Sequence, residues 1–229
     1  IREATNWEIP IQLKLGAARV YDDVRMAAKT DPDSIYIDGM EGGTGAGPHL
    51  ASEDTGVPGI AAIRQARRAL EDVGKSDDVT LIYAGGIRNG SDVAKALALG
   101  ADAVAIGHSS MMALNCNKDI PEADYEKEIG VKAGACYHCH TGRCPVGVAT
   151  QDPELRKRLD PDAAAERVYN FLHCLAIECQ MMARACGKTN VHSLEPEDLA
   201  ALTMEASAMA QVPLAGTQHT VGRPDMTRF

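Results

Sequence analysis

The sequence predicts an α/β protein built on a parallel β-sheet. Between residues 10 and 115, short runs rich in β-branched residues alternate with stretches of helical character, and the runs are apolar enough to be buried on both faces. Aromatic residues make up only 4% of the 229 residues although 45% are apolar. This composition favours closely packed helices and strands over an aromatic-rich sandwich.

Four strand–helix units are predicted in order along the chain. The predicted strands are 10–15, 34–38, 79–84 and 103–107, and the helices that follow them are 17–29, 60–73, 91–99 and 109–114. Glycine or a capping residue marks each junction, as expected at the ends of helices. A sheet of this kind is either doubly wound or part of a (β/α)8 barrel.

Two details favour the C-terminal half of a (β/α)8 TIM barrel over residues 1–115. Gln12 and Lys14 share one face of the first strand, as expected for side chains that point into a barrel near its mouth. The last two units end in glycine turns at residues 85–86 and 107–108, and such barrels hold phosphate in the loops after their last two strands. A complete barrel takes about 250 residues, so four units correspond to half of one.

Three further parts are predicted beyond residue 115. They are an iron–sulfur segment at 116–151, a helical module at 152–212 and a tail at 213–229. Capping residues and apolar spacing predict one helix from Pro161 to Gly187 and another over 197–209. Three cysteines on the first of these helices are predicted to be core thiols: Cys174, Cys179 and Cys186.

The charge balance excludes several functional classes. Lys and Arg number 23 against 32 Asp and Glu, and the net charge is −9, with no basic stripe for phosphates. No apolar run reaches the roughly 20 residues of a membrane helix, and the N-terminus does not resemble a signal peptide. We therefore expect a cytoplasmic chain that binds neither nucleic acid nor membranes, in which cysteines serve metal or redox chemistry.

The cysteine-rich segment is the strongest local signal of function. Its candidate metal ligands are Cys116, Cys136, Cys139 and Cys144. The last three follow the spacing C-x2-C-x4-C, with a proline directly after, in a segment without helical or strand periodicity. Such a loop can wrap several thiolates around an iron–sulfur cluster. A structural zinc site is the alternative, with His138 and His140 as further ligands.

Glycine-rich turns at the predicted strand ends point to a phosphate-bearing cofactor. The loop after the second strand holds five glycines within residues 39–47, which favours a ligand loop over a flexible connection. The turns after the third and fourth strands suggest a paired phosphate site formed by Gly85, Gly86, Gly107 and His108. Flavin mononucleotide (FMN) suits a barrel beside an iron–sulfur centre, because flavin passes electrons singly or in pairs. Lys14 is either a surface lysine or a cation for the flavin or an anionic substrate.

Two motifs resemble the flavin domain of the glutamate synthase family. Residues 39–46, Gly-Met-Glu-Gly-Gly-Thr-Gly-Ala, are similar to that family's Gly-His-Asp-Gly-Gly-Thr-Gly-Ala loop. Residues 139–151 are similar to its cluster-binding run, and the resemblance extends from residue 8 to about residue 190. Within the family, the chain is most similar to stand-alone flavin subunits, including the third subunit of N-methylglutamate synthase.

The resemblance implies an oxidoreductase with FMN and a 3Fe-4S cluster. It implies that ammonia from a glutaminase-type subunit condenses with 2-oxoglutarate and that 2-iminoglutarate is reduced to glutamate, or that methylamine enters in an N-methylglutamate synthase. An electron-donor subunit or ferredoxin would complete a hetero-oligomer. The residues implied to contact flavin or substrate are Lys14, Glu41, Gly42, Gly43, Thr44, Gly45, Gly85, Gly86, Gly107 and His108, with Lys14 and Glu41 as candidate catalytic residues.

The sequence departs from the family pattern at three positions. Met40 and Glu41 replace the loop's His and Asp, and Ala133 replaces the first cluster cysteine. Cys116 could supply the missing ligand, and Cys136 would then allow a 4Fe-4S cluster. Another flavin or nucleotide barrel, such as a dihydroorotate or inosine-monophosphate dehydrogenase, and a zinc-stapled scaffold without catalysis remain as alternatives.

Overall fold

The computed structural model describes residues 1–43, 47–48, 50–51, 54–116, 127, 130, 136 and 138–223. Its strands and helices, in chain order, are β1 Gln12–Gly16, α1 Val20–Ala28, β2 Ser34–Asp38, α2 Gly59–Asp72, β3 Thr80–Ala84, α3 Gly90–Ala98, β4 Ala103–Ala105, α4 His108–Ala113, α5 Pro153–Arg156, α6 Pro161–Ala185 and α7 Met204–Ala210. Short 3-10 turns lie at Glu3–Thr5, His138–His140, Val191–Ser193 and Pro196–Asp198.

The four strands form one parallel sheet in the order β1-β2-β3-β4. The register places Lys14 beside Tyr36 and Asp38 beside Ala84, so the strands end at a common edge. Each strand lies within about two residues of its predicted position. The α/β class and the parallel sheet are therefore confirmed.

The core lies between the sheet and its helices. Ile35, Ile37 and Leu81 are almost fully buried on one face of the strands, where α2 packs through small side chains such as Ala66 and Ala69. Burying each large aliphatic side chain stabilises the fold by about 1.5–3 kcal/mol. The alternate residues of β1 and β2, Lys14 among them, lie on the opposite face and stay at least partly exposed.

Arg67 of α2 connects several backbone groups near the amino ends of β3 and β4. Its Nε donates to the carbonyl of Gly100 at 2.8 Å, and its Nη1 donates to the carbonyl and hydroxyl of Ser76 at 3.0 and 2.9 Å. Its Nη2 lies 2.7 Å from Asp102 Oδ2, which also accepts from the N–H of Leu81 at 2.7 Å. The guanidinium therefore joins α2 to the turns that lead into both strands.

The C-terminal helices differ from their predicted form. The helix predicted over 197–209 is wrong in its first part, because Leu199 is extended with φ −113° and ψ 146°. Ala201 instead exchanges backbone hydrogen bonds with Pro213 and Ala215, and Thr203 caps α7. The α6 prediction is confirmed within two residues. Cys179 is buried as predicted, whereas the two other cysteines of the group, Cys174 and Cys186, are exposed and the core prediction is wrong for them.

The chain divides into two compact units. The first comprises Ile1–Glu41, Thr55–Ala105 and Ile177–Phe229, and the second comprises Gly42–Asp54 and Ile106–Ala176. The domain boundaries predicted from the sequence stay predictions. Within the described ranges, no helix combines the length and apolar character needed to cross a membrane.

Candidate functional site

Lys14 forms an ion pair on the exposed face of the sheet. Its Nζ lies 2.9 Å from Oδ2 of Asp38 on β2 and 4.6 Å from the centre of the Tyr36 ring. The hydrogen bond to Asp38 raises the pKa of Lys14 above its ordinary value, so the ammonium keeps its charge at neutral pH. The side chain is 59% exposed, which leaves the ammonium accessible to an anionic ligand.

Asp38 and Tyr36 are partners of Lys14 that the sequence reasoning missed. The two-residue alternation of a strand places both on one face of β2, and parallel pairing brings that face beside Lys14. Asp38 Oδ1 also accepts from the N–H of Met40 at 2.9 Å, and Met40 has a φ of 68°. The carboxylate therefore holds both the lysine and the first turn of the glycine-rich loop.

Glu41 accepts hydrogen bonds on both of its carboxylate oxygens. Oε2 accepts from the hydroxyl of Tyr83, and Oε1 accepts at 3.2 Å from the N–H of Gly59, the first residue of α2. Burial, followed by the hydrogen bond to Glu41, raises the pKa of Tyr83, so its phenol remains a donor. Sequence reasoning named Glu41 as a candidate catalytic residue, which stays a prediction, and it missed Tyr83.

The glycine turn after β3 adopts the left-handed conformations that its sequence suggested. Residues 85 and 86 have φ values of 120° and 68°. At the start of α3, the N–H of Gly90 donates to Glu178 Oε2 at 2.7 Å, and the N–H of Asp92 donates to the Asn89 side chain at 2.9 Å. These two helical N–H groups already have acceptors within the protein.

A cavity of about 180 Å³ lies beside this turn in the first unit, with Glu41, Tyr83 and Gly86 in its wall. Ile60 and Ile63 of α2 form part of its apolar side. Pockets that hold cofactor-sized ligands occupy roughly 300–1,000 Å³. This cavity alone is therefore too small for a flavin.

The remaining predicted flavin contacts lie in other parts of the chain. Gly42, Gly43, Gly107 and His108 belong to the second unit, in which His108 begins α4. Thr44 and Gly45 lie outside the described residues. The paired phosphate site therefore stays a prediction.

Five of the seven free cysteines belong to the second unit, and four of these are the predicted metal ligands: Cys116, Cys136, Cys139 and Cys144. Burial, followed by the charges of the other three thiols, raises the pKa of Cys116 to about 11. Burial likewise raises the pKa of Cys139, with smaller contributions from Cys136 and Cys144. The four thiols are thus near enough to influence one another electrostatically.

The metal centre itself is not assembled among the described residues. No group of three or more His, Cys, Asp or Glu side chains there is placed to hold a metal ion. Residues 117–126, 128–129, 131–135 and 137, with Ala133 among them, lie outside the described part. The ligand assignment therefore stays a prediction.

Comparison with known proteins gives the family. The model for the conserved region in glutamate synthase matches residues 1–121 and 125–189. The chain belongs to the glutamate synthase family. The match confirms the resemblance that the loop at 39–46 and the run at 139–151 suggested.

Curated members of the glutamate synthase family share much of this sequence. A glutamate synthase large subunit-like protein of Rhizobium meliloti is 53% identical over 223 residues, which are 97% of this chain and 50% of that protein. An archaeal NADPH glutamate synthase of Methanocaldococcus jannaschii is 37% identical over 195 residues, which are 85% of this chain and 35% of that protein. The chain thus spans half or less of the length of these relatives.

Solved structures with a similar fold include two of one double variant of flavocytochrome b2. The structure with pyruvate bound has a TM-score of 0.54 at 20% identity and is matched over 99% of this chain and 40% of its own. The structure with sulfite bound has a TM-score of 0.54 at 21% identity. At these identities the likeness to flavocytochrome b2 concerns the fold alone.

Proposed function

We propose that this chain is the flavin- and cluster-binding part of a glutamate synthase-type oxidoreductase. The observation that carries the proposal is Lys14, a protonated and accessible ammonium held by Asp38 on the open face of the sheet. Glycine turns follow β2 and β3 at the edge of the sheet where these strands end. In a member of the glutamate synthase family, this combination suits an anionic cofactor and a dicarboxylate substrate.

We propose that the parallel sheet is the C-terminal half of a (β/α)8 barrel. Four parallel strands in sequential order are what neighbouring barrel strands require, whereas a doubly wound sheet reverses its strand order at a switch point. The likeness to 40% of a flavocytochrome b2 chain supports the same assignment. Catalytic groups of such barrels lie at the carboxyl ends of the strands.

Lys14 has a defined task in this reaction. Bound FMN would supply hydride to the 2-iminoglutarate formed from 2-oxoglutarate and ammonia. The Lys14 ammonium attracts the negative charge of flavin or substrate, and Asp38 fixes its direction. Gly42, Gly43, Gly85 and Gly86 would admit the flavin close to the backbone, because glycine carries no side chain.

The thiol cluster fits an iron–sulfur group by its chemistry. Thiolates are the usual ligands of such clusters, and here burial and mutual repulsion both disfavour the unligated thiolates. A cationic iron centre held by Cys116, Cys136, Cys139 and Cys144 would relieve that repulsion. The cluster would supply one-electron transfer between the flavin and an electron donor.

We also propose that the enzyme is a cytoplasmic hetero-oligomer. A glutaminase-type subunit would deliver ammonia, and a donor subunit or ferredoxin would deliver electrons. The alternative product is N-methylglutamate, formed when methylamine replaces ammonia. Turnover assays with ammonium and with methylamine on the complete enzyme distinguish these two products.

The proposal is tested by analysing the cofactors of the anaerobically purified protein. We expect FMN, iron and acid-labile sulfide in the wild type. Cys144→Ala should lose iron and sulfide, whereas the matched variant Cys186→Ala, at an exposed position on the turn after α6, should retain both. Zinc without flavin would contradict the proposal and favour a structural scaffold, and flavin without iron would favour another flavin barrel.

A further inference from the structure

The strongest feature that the sequence did not indicate is the hydrogen-bonded pair formed by the buried Tyr83 and the exposed Glu41. Tyr83 is 2% exposed, and its hydroxyl donates to Glu41 Oε2. The pair joins β3 to the loop that follows β2, over 42 residues of sequence. Because both partners belong to the first unit, the contact does not depend on the second unit.

Three glycines lie against this pair. They are Gly39 after β2, Gly59 at the start of α2 and Gly85 after β3. A Cβ atom at position 85 would lie 2.8 Å from Glu41 Oε2 and 2.9 Å from the Tyr83 hydroxyl, and one at position 59 would lie 2.9 Å from Tyr83 Cε1. A Cβ at position 39 would collide with the Tyr83 hydroxyl. Three backbone segments therefore lie against the phenol, and two of them also lie against the carboxylate.

The remaining contacts of the pair fix the same segments. Glu41 Oε1 accepts from the N–H of Gly59, where the helix dipole of α2 favours a negative charge. The N–H of Gly39 donates to the carbonyl of Ala84 at 2.9 Å and extends the pairing of β2 with β3 by one residue. The Glu41 carboxylate lies against Gly86 as well, because a Cβ there would be 3.5 Å from its carbon atoms.

We propose that Tyr83 and Glu41 are positioning residues, whose hydrogen bond holds the glycine turns after β2 and β3 in the arrangement that receives the flavin. This inference rests on the proposed flavin function. It assigns Glu41 to the support of the loop, since both of its oxygens are already engaged there. The Tyr83 phenol is neutral, so it acts on the loop through the single directed hydrogen bond that it donates to Glu41.

The test compares Tyr83→Phe with Tyr21→Phe in the full chain. The hydroxyl of Tyr21 donates to Asp72 Oδ2 at 2.5 Å on the outer helices, so this control removes a phenol–carboxylate bond from a different site. Amide hydrogen exchange without flavin measures the order of the two turns, and titration with FMN measures affinity. Glu41→Gln and the double variant Tyr83→Phe, Glu41→Gln complete a cycle.

We expect Tyr83→Phe to speed exchange severalfold in peptides covering residues 39–41 and 85–86 and to weaken FMN binding about tenfold. Tyr21→Phe should leave exchange at the turns and FMN affinity unchanged. The double variant should bind FMN no more weakly than the weaker single variant, because the two side chains act through one bond. The thermal midpoint without flavin checks that each variant is folded.

Other results overturn the inference in distinguishable ways. Unchanged exchange at both turns in Tyr83→Phe excludes a positioning role, whether or not the protein binds FMN. If exchange and FMN affinity survive in Glu41→Gln while turnover is lost, Glu41 contacts the substrate instead. If the wild type binds no FMN, the proposed function fails, and the exchange data still decide whether the pair orders the turns.

Discussion

Replacing Arg67 with methionine should destabilise the first unit strongly. The guanidinium donates four hydrogen bonds, at 2.8 Å to Gly100, at 3.0 and 2.9 Å to Ser76 and at 2.7 Å to Asp102. Its side chain is 11% exposed, whereas that of Asp102 is 44% exposed. Methionine keeps an apolar stem of similar length, so the change removes mainly the polar contacts.

The expected loss of stability follows from these contacts. Each hydrogen bond contributes about 1 kcal/mol net, and a buried acceptor left without a donor is penalised further. Asp102 is exposed enough to be rehydrated, which reduces its share. We expect the free energy of unfolding to fall by about 3 kcal/mol in total, which lowers the thermal midpoint of a protein of this size by roughly 6–12 °C.

Arg68→Met is the matched control for this prediction. Arg68 is the next residue on α2, its side chain is 76% exposed, and its Nε lies 3.7 Å from Asp72. An exposed pair of this kind contributes at most about 1 kcal/mol. Urea unfolding followed by circular dichroism gives the free energy of unfolding for both variants. Equal midpoints for the two variants would refute the assignment of Arg67 as a connection between α2 and the turns before β3 and β4.

Two further predictions concern the cysteine-rich segment and the lysine site. Gly147→Ala should lower the thermal midpoint by several degrees more than Gly142→Ala, although both glycines have positive φ. A Cβ at position 147 would lie 2.5 Å from the Leu155 carbonyl, whereas no described atom lies within 4 Å of a Cβ at position 142. Equal thermal midpoints for the two variants would contradict this prediction. Lys14→Met should lower the free energy of unfolding by an amount that does not vary with pH around neutrality. The raised pKa of Lys14 lets its ion pair persist until the pH exceeds 10.5. The difference in unfolding free energy between wild type and Lys14→Met should therefore shrink only above that pH, and a decline between pH 7 and 9 would show that another group is responsible.

The sheet could be predicted from the sequence because its signals are local. In β2, the buried residues Ile35 and Ile37 alternate with partly exposed neighbours, and turn residues flank the run. Asn89 caps α3 and Gly100 follows it, as helix-terminal chemistry predicts. Signals of this kind lie within a few residues of the element that they determine.

Features that depend on distant contacts escaped prediction. Residues 199–203 have acceptable helix-forming composition, yet the exchange of hydrogen bonds between Ala201 and residues 213–215 keeps them extended. Cys186 is one of the three predicted core thiols, but it follows the end of α6 and is exposed. The partnership of Tyr83 with Glu41 depends on a strand and a loop that meet only in the folded chain, so no spacing in the sequence indicates it.

The bond between Gly90 and Glu178 has a consequence for how the chain is made. The two residues are 88 positions apart, so α3 is synthesised well before its capping carboxylate exists. At bacterial and eukaryotic translation rates this interval is roughly 4–18 s. The four proposed cluster ligands, from Cys116 to Cys144, leave the ribosome within that interval. Iron could therefore reach these cysteines while the first unit still lacks its last segment, and the order of translation would then favour loading the metal before that unit closes.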